Sequence, residues 1–216
     1  MPIALLTRLA YLFVPALLAG TCLSAAAKDT DVALTEQIAG AVRRQSAWIA
    51  EAKQCPAQLM TRSPVSPLAT GNACMKNPTT ACLASCERGD AAACYWLGQG
   101  LQQRNAPDRA FEALYQRSCK LGVISGCTNR AAGMMVEQRD NAASQQCASR
   151  TFENGCGFDD PWACTMQAFH LSYGLGVAPD PARALQLLRK SCKYGQDDPA
   201  CIAGIRLKQE IESAKK

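Results

Sequence analysis

From residue 79 to residue 211 apolar positions recur at spacings of three and four, in short runs broken by Gly, Asn, Asp and Pro. That is the pattern of short amphipathic helices joined by tight turns. The clearest stretch runs from Cys156 to Gly195. There Ala168 to Leu171 and Ala182 to Leu185 flank the Gly-rich centre Tyr173-Gly174-Leu175-Gly176-Val177, which predicts two helices and a turn. Upstream, Thr79 or Thr80 caps a helix through Arg88, and Gly89-Asp90 breaks it. A second helix starts near Ala91 and carries Cys94, Trp96, Leu97 and Leu101. Asn105-Ala106-Pro107-Asp108 reads as a turn whose Asp caps the next helix. That helix is marked by Ala110, Phe111, Leu114 and Tyr115 and ends at Cys119 to Gly122. Ser125-Gly126-Cys127 opens another, with Ala131, Met134 and Met135. A further helix runs from Asn141 to Glu153 and closes at Asn154-Gly155-Cys156. The last helix, Cys201 to Ile211, turns polar toward Lys216, as the outer helix of a stack must.

The N-terminal part differs. Residues 31–54 predict a helix capped by Asp31, with Val32, Leu34, Ile38, Val42, Trp48 and Ile49 as its stripe, weakened at Gly40 and ended by Cys55-Pro56. Residues 56–80 hold Pro56, Pro64, Pro67 and Pro78 and predict a long loop tethered by Cys55 and Cys74. At the start, Arg8, the apolar run Leu9 to Leu18 and Ala25-Ala26-Ala27 form a secretory signal peptide with cleavage after Ala27. The run is too short to span a bilayer, and no later segment is apolar enough to do so. The expected layout is a signal peptide at 1–27, a helix and Pro-rich loop at 28–78, and a repeat region at 79–216.

Cysteine usage sharpens this. Of 13 cysteines only Cys22 falls before the cleavage site, and an even number in an exported chain argues a disulfide framework in an oxidising compartment. No Cys-x-x-Cys is present and the one histidine lacks a ligand partner at helical spacing, so neither a metal nor a cofactor is expected. The basic excess is small and scattered, and argues for solubility and not for nucleic acid. Cys86, Cys119, Cys156 and Cys192 follow one another at 33, 37 and 36 residues, and each has a second cysteine 8, 8, 8 and 9 residues on. Ser-Cys-x-x-Gly recurs at Ser85, Ser118 and Ser191. This is the signature of an internal repeat. Catalytic signals are lacking: His170 and Ser172, two apart, face different ways on a helix, and no Gly-x-Ser-x-Gly, Ser-x-x-Lys or His-Glu-x-x-His occurs. Asp159-Asp160 and Asp197-Asp198 read as helix caps.

The repeat resembles the Sel-one-like repeat, a relative of the tetratricopeptide repeat, in its cysteine-rich exported branch. The run Tyr173-Gly174-Leu175-Gly176-Val177 with Asp180 and Ala184 carries the likeness, which covers residues 80–210. Two departures stand out. The copy from Cys86 lacks the Gly-x-Gly-Val segment, and Arg130 occupies a place where the family has Leu. The resemblance implies an all-α fold, an α/α superhelix (solenoid) of disulfide-stapled hairpins, with bridges Cys86–Cys94, Cys119–Cys127, Cys156–Cys164 and Cys192–Cys201. Eight residues of straight helix rise about 12 Å, too far for a bridge, so the chain must fold back between the cysteines. Gly89, Gly122 and Gly195 are the expected breaks, with Pro161 in the third pair. Each bridge would stabilise by roughly 2.6 kcal/mol in the chain-entropy model. Cys74–Cys82 has the same spacing and would leave Cys55–Cys147; a bridge from Cys55 or Cys74 to Cys82 is the alternative.

In this class the first helix of each pair lines the concave side. With Cys94, Cys127 and Cys164 buried, positions three, four and seven further on should be buried too. Trp96, Gln99, Gln103, Asn129, Val136, Met166, Phe169, His170 and Tyr173 should face the groove, half of them packing against the next repeat as the competing expectation. The resemblance implies a periplasmic protein-binding function. More specifically, it implies an immunity protein that binds and neutralises a toxic effector, such as a phospholipase delivered by type VI secretion. Its alternatives are a penicillin-binding or weakly β-lactam-hydrolysing protein and a scaffold or regulator of envelope assembly.

Overall fold

The computed structural model describes residues 19–214 apart from residue 71. The apolar run Leu9 to Leu18 of the expected signal peptide lies outside the described residues. The chain divides into two units, Met1–Leu34 and Thr35–Lys216. The described part of the first is the beginning of helix α1 (Ala19–Arg44). Asp31 lies inside this helix and is therefore not its cap, a correction to the sequence expectation. The helix expected to continue to residue 54 stops at Arg44. Gln45 leaves the helical region at φ −77°, ψ 76°, and α2 (Ser46–Glu51) follows. α2 packs on a later helix, α6 (Phe111–Lys120), where Trp48 is buried with the Arg117 guanidinium over its ring, 5.4 Å from the centroid.

The Pro-rich stretch is folded onto the helices that follow. It forms 3-10 turns at Pro56–Gln58 and Pro67–Thr70 and a single helical turn, α3 (Ala73–Lys76). The remaining helices are α4 (Thr80–Glu87), α5 (Ala91–Gln103), α6, α7 (Ile124–Glu137), α8 (Ala142–Gly157), α9 (Pro161–Tyr173), α10 (Pro181–Leu187) and α11 (Pro199–Ser213). Each of α4 to α9 packs against the next in sequence, and α9 also meets α10 and α11. Every regular element among the described residues is helical.

Local chemistry makes the hairpins. Thr79, Asp90, Asn141, Asp160, Asp180 and Asp198 cap α4, α5, α8, α9, α10 and α11 by accepting a backbone N–H. Asp108 does not cap α6. It sits at φ 52° in a 3-10 turn and pairs with Arg43, and α6 begins without a side-chain cap. At the first break Gly89 N–H reaches Cys86 O and Asp90 N–H reaches Ser85 O. Gly122 and Val123 repeat this on Cys119 and Ser118, and Asp159 and Asp160 on Cys156 and Gly155. This paired closure is a Schellman motif, which needs a left-handed residue after the helix. Gly89 and Gly122 supply it at φ 95° and 110°. In the third hairpin it is Asp159, at φ 57°, and not Pro161, which instead opens α9 at its first turn.

That turn carries the paired cysteines to within bonding reach. Cα atoms lie 4.7 Å apart in Cys86–Cys94, 4.5 Å in both Cys119–Cys127 and Cys156–Cys164, and 4.3 Å in Cys192–Cys201. Cys74–Cys82 ties α3 to α4, and Cys55–Cys147 ties the first 3-10 turn to α8 across 92 residues. The positions three, four and seven beyond the second cysteine are buried in α5 (Leu97, Gly98, Leu101), in α7 (Arg130, Ala131, Met134) and in α9 (Gln167, Ala168, Leu171). Each buried leucine stabilises by about 1.5–3 kcal/mol. Gly126 and Gly155 sit where helices touch: a Cβ on Gly155 would come 2.7 Å from that of Ala163.

Candidate functional site

The caps and bridges line up α5, α7 and the starts of α9 and α11 along one cleft of about 890 Å³. The segment Pro64–Leu68 forms its remaining wall. This strap is held by main-chain contacts. Trp96 Nε1 donates to Pro67 O at 2.9 Å, and Val65 N–H donates to Gly122 O at 2.9 Å. Gly122 leaves room for it, since a Cβ there would meet Val65 and Thr61 at 3.2–3.3 Å.

Of the nine residues expected to face a groove, Trp96, Gln99, Gln103, Asn129 and Val136 line this cleft. Tyr95 packs edge-on to Trp96, at 4.8 Å between ring centroids, and its hydroxyl accepts from Gln99 Nε2 at 3.2 Å. Burial pushes the Tyr95 phenol up to about 12, so it stays a neutral hydrogen-bonding group. The other four lie elsewhere. Met166 packs into the core of Ala131, Ala148 and Phe152. Phe169 and Tyr173 stack on each other at 4.8 Å on an exposed face of α9, and Tyr173 Oη donates to Glu210 at 3.0 Å.

His170 corrects the sequence expectation outright: it is 1% exposed. It stands on the flank of α9 that α8 covers, whereas Phe169 and Tyr173, on the side away from Cys164, stay exposed. The imidazole packs edge-on to Phe152 at 5.0 Å, and Nδ1–H donates to Leu175 O at 2.7 Å. Burial lowers its pKa, which fits a neutral ring that fastens the Gly-rich turn after α9.

Sequence reasoning missed Phe158, Trp162 and Tyr194, which also line the cleft. A signal was available. Phe158 and Tyr194 each stand two residues after the first cysteine of a pair, just inside the turn that aims at the cleft.

Two buried acids border the cleft. Asp160 caps α9 through Ala163 N–H at 2.7 Å and accepts the Ser125 hydroxyl at 2.5 Å, with Thr128 Oγ1 at 3.4 Å. It thereby links α9 to α7. Burial raises its pKa in spite of these donors. A carboxyl whose folded pKa is raised contributes most stability below its unfolded value and loses it as pH rises through the folded value. Asp160→Asn keeps the acceptor without the charge. The wild type should therefore lose stability relative to this variant as pH rises above the unfolded carboxylate range, about 4. Asp160→Ala should cost about 1–2 kcal/mol at neutral pH through the lost cap. Thermal melts of the three proteins across that range check both; a pH-independent difference between wild type and Asp160→Asn would contradict the assignment.

Glu112 is the second buried acid. Arg130 Nη1 donates to it at 3.1 Å, and Arg109 pairs with it from the cleft side. Arg130 also holds Glu137 at 3.0 Å and donates from Nε to Ala52 O at 2.9 Å. Gly133 makes the space, because a Cβ there would lie 2.2–2.4 Å from the Glu112 carboxylate. Among the described residues, no group of three or more His, Cys, Asp or Glu is arranged to hold a metal ion, and no helix is long and apolar enough to cross a membrane.

No protein family, curated protein or solved structure matches this chain.

Proposed function

We propose that the chain is an exported, disulfide-stapled α/α solenoid of the Sel-one-like kind that binds another protein in the periplasm. The partner we propose is a toxic effector, such as a phospholipase delivered by type VI secretion, which the chain neutralises as an immunity protein. Six disulfides suit an oxidising compartment. The observation that carries the binding reading is the cleft itself. The second helix of each stapled hairpin contributes to one continuous surface, with Trp96, Trp162 and Tyr194 around it. Trp and Tyr anchors dominate the energetics of protein recognition. Deleting the gene should sensitise cells to intoxication by their parent strain, and re-expression should restore protection. The variant Trp162→Ala/Tyr194→Ala should lower protection about tenfold or more at unchanged melting temperature. Equal survival of the deletion strain, with no effector-like protein co-purifying from periplasm, would sink the reading.

A further inference from the structure

The fourth hairpin is closed differently from the other three. In α4–α5, α6–α7 and α8–α9 the main chain makes both bonds of the closing motif, and the paired cysteines are buried. The hairpin of α10 and α11 keeps one of the two. Gly195 N–H reaches Cys192 O at 3.2 Å, but the next main-chain bond is a local one, from Asp198 N–H to Gly195 O at 3.4 Å. The helix before the turn is short, and a 3-10 turn at Leu188–Lys190 extends it. Its cysteines stand nine residues apart where the others stand eight apart. Cys201 is fully buried, whereas Cys192 is exposed, as no other bridged cysteine is.

The turn is open to solvent, but its two roots are fixed. Residues 192–197 and Pro199 are exposed. On either side Ser191 and Ala200 are buried, and one side chain of α9 holds both. Thr165 Oγ1 lies 2.7 Å from Ser191 Oγ and 3.2 Å from Ala200 O. Gly204 packs on Ser191, and Leu188, Leu207 and Ile211 close the core around them. Between the roots, the bridge and the Lys193 ammonium on Asp159 O tie residues 192–199 down. This segment supplies Lys193, Tyr194, Asp198 and Pro199 to one wall of the cleft.

Thiol exchange depends on which sulfur can be reached and on how well the other leaves. An incoming thiolate meets Cys192 Sγ, because Cys201 is covered. A new S–S bond forms there and the old one breaks toward Cys201. The leaving thiolate is then the third residue of α11, a 15-residue helix whose N-terminal end favours negative charge. The second thiol of a dithiol reductant resolves the mixed disulfide. The reductant leaves as a disulfide, and its two hydrogens end on Cys192 and Cys201.

We propose that Cys192–Cys201 is a redox latch on the cleft. A dithiol reductant opens it while the buried staples of the other hairpins stay closed, and frees residues 192–199 as a segment hinged at Ser191 and Ala200. One wall of the cleft then comes away while the stack stays folded. That partner binding is lost with this wall rests on the protein-binding reading above. The test incubates the oxidised protein with increasing dithiothreitol, quenches with acid, alkylates, and maps the bridges by mass spectrometry. A species open at Cys192–Cys201, with Cys86–Cys94, Cys119–Cys127 and Cys156–Cys164 intact and helicity unchanged, is expected. In the variant Cys192→Ser/Cys201→Ser, trypsin should cut after Lys193 at least about tenfold faster than in the oxidised wild type, with a cooperative melt retained. Opening no earlier than that of the three buried staples, loss of the cooperative melt in the variant, or unchanged cutting at Lys193 each overturns the latch. If the latch falls but Trp162→Ala/Tyr194→Ala still lowers protection, the protein-binding reading stands without it. If cutting accelerates and the bridge-free variant protects cells as the wild type does, the latch stands and the cleft is not what grips the partner.

Discussion

Full reduction of the protein is expected to unfold it at room temperature. In the chain-entropy model each short bridge contributes about 2.6 kcal/mol, and the 92-residue span of Cys55–Cys147 contributes about 4.6 kcal/mol. Together these come to about 18 kcal/mol, above the whole stability of an ordinary domain. The order of reduction should follow access to sulfur. Cys86, Cys94, Cys119, Cys127, Cys164 and Cys201 are fully buried, whereas Cys192 is exposed and Cys55, Cys74 and Cys82 are half-buried. Limiting phosphine or thiol should therefore open Cys192–Cys201 and Cys74–Cys82 first, and Cys86–Cys94 and Cys119–Cys127 last. Circular dichroism with alkylation and mass spectrometry at each step reads both outcomes. A fully reduced, alkylated chain that keeps its helicity and a cooperative melt would show that the bridges are incidental.

The helices after residue 79 were legible because each one advertises itself locally. Asp, Thr or Asn stands at the start of α4, α5 and α8 to α11, Gly follows α4, α6 and α9, and the apolar spacing between is helical. The exceptions have physical causes. Asp108 is placed where a cap belongs, but the Arg43 guanidinium draws it away and the backbone turns to positive φ. Asp159 takes a left-handed conformation that other hairpins assign to glycine, and nothing in its neighbours announces that. α1 breaks at Gln45, a residue with no breaker character, and α2 instead packs on α6.

The site was less legible than the fold. Helical spacing from the buried cysteine put Trp96, Gln99 and Asn129 on the face that lines the cleft. It misplaced His170 because α8 covers that flank of α9 with Phe152, a contact between helices that spacing along one helix does not carry. The strap was invisible to periodicity: its grip is a carbonyl under an indole and an amide on Gly122, which any sequence could supply.

Arg130 is where this chain spends a charge in a place that suits an apolar side chain, and its removal has the second large expected effect. Arg130 is 5% exposed and Glu112 is 6% exposed. Removing one partner of such a pair leaves the other buried without its counter-charge, which costs about 3–5 kcal/mol. Arg130→Leu should therefore destabilise by that amount at neutral pH, although leucine fits the helical pattern better. Arg109 remains beside Glu112 and lies 3.5 Å from Glu137, but its side chain is 40% exposed and Ala52 O loses the donor that Arg130 supplies. Burial already raises the Glu112 pKa against the pull of Arg130 and Arg109, and losing Arg130 raises it further. By the same linkage as for Asp160, the penalty should be fully expressed above the folded pKa and should shrink as pH falls toward the unfolded carboxylate range. Adding Glu112→Gln removes the stranded charge, so the double variant should recover part of the loss at pH 7. Urea unfolding of the single and double variants at pH 7 and pH 4 measures this. A single variant within about 1 kcal/mol of wild type, or a penalty independent of pH, would mean that the ion pair is no better than the hydrophobic contact it displaces.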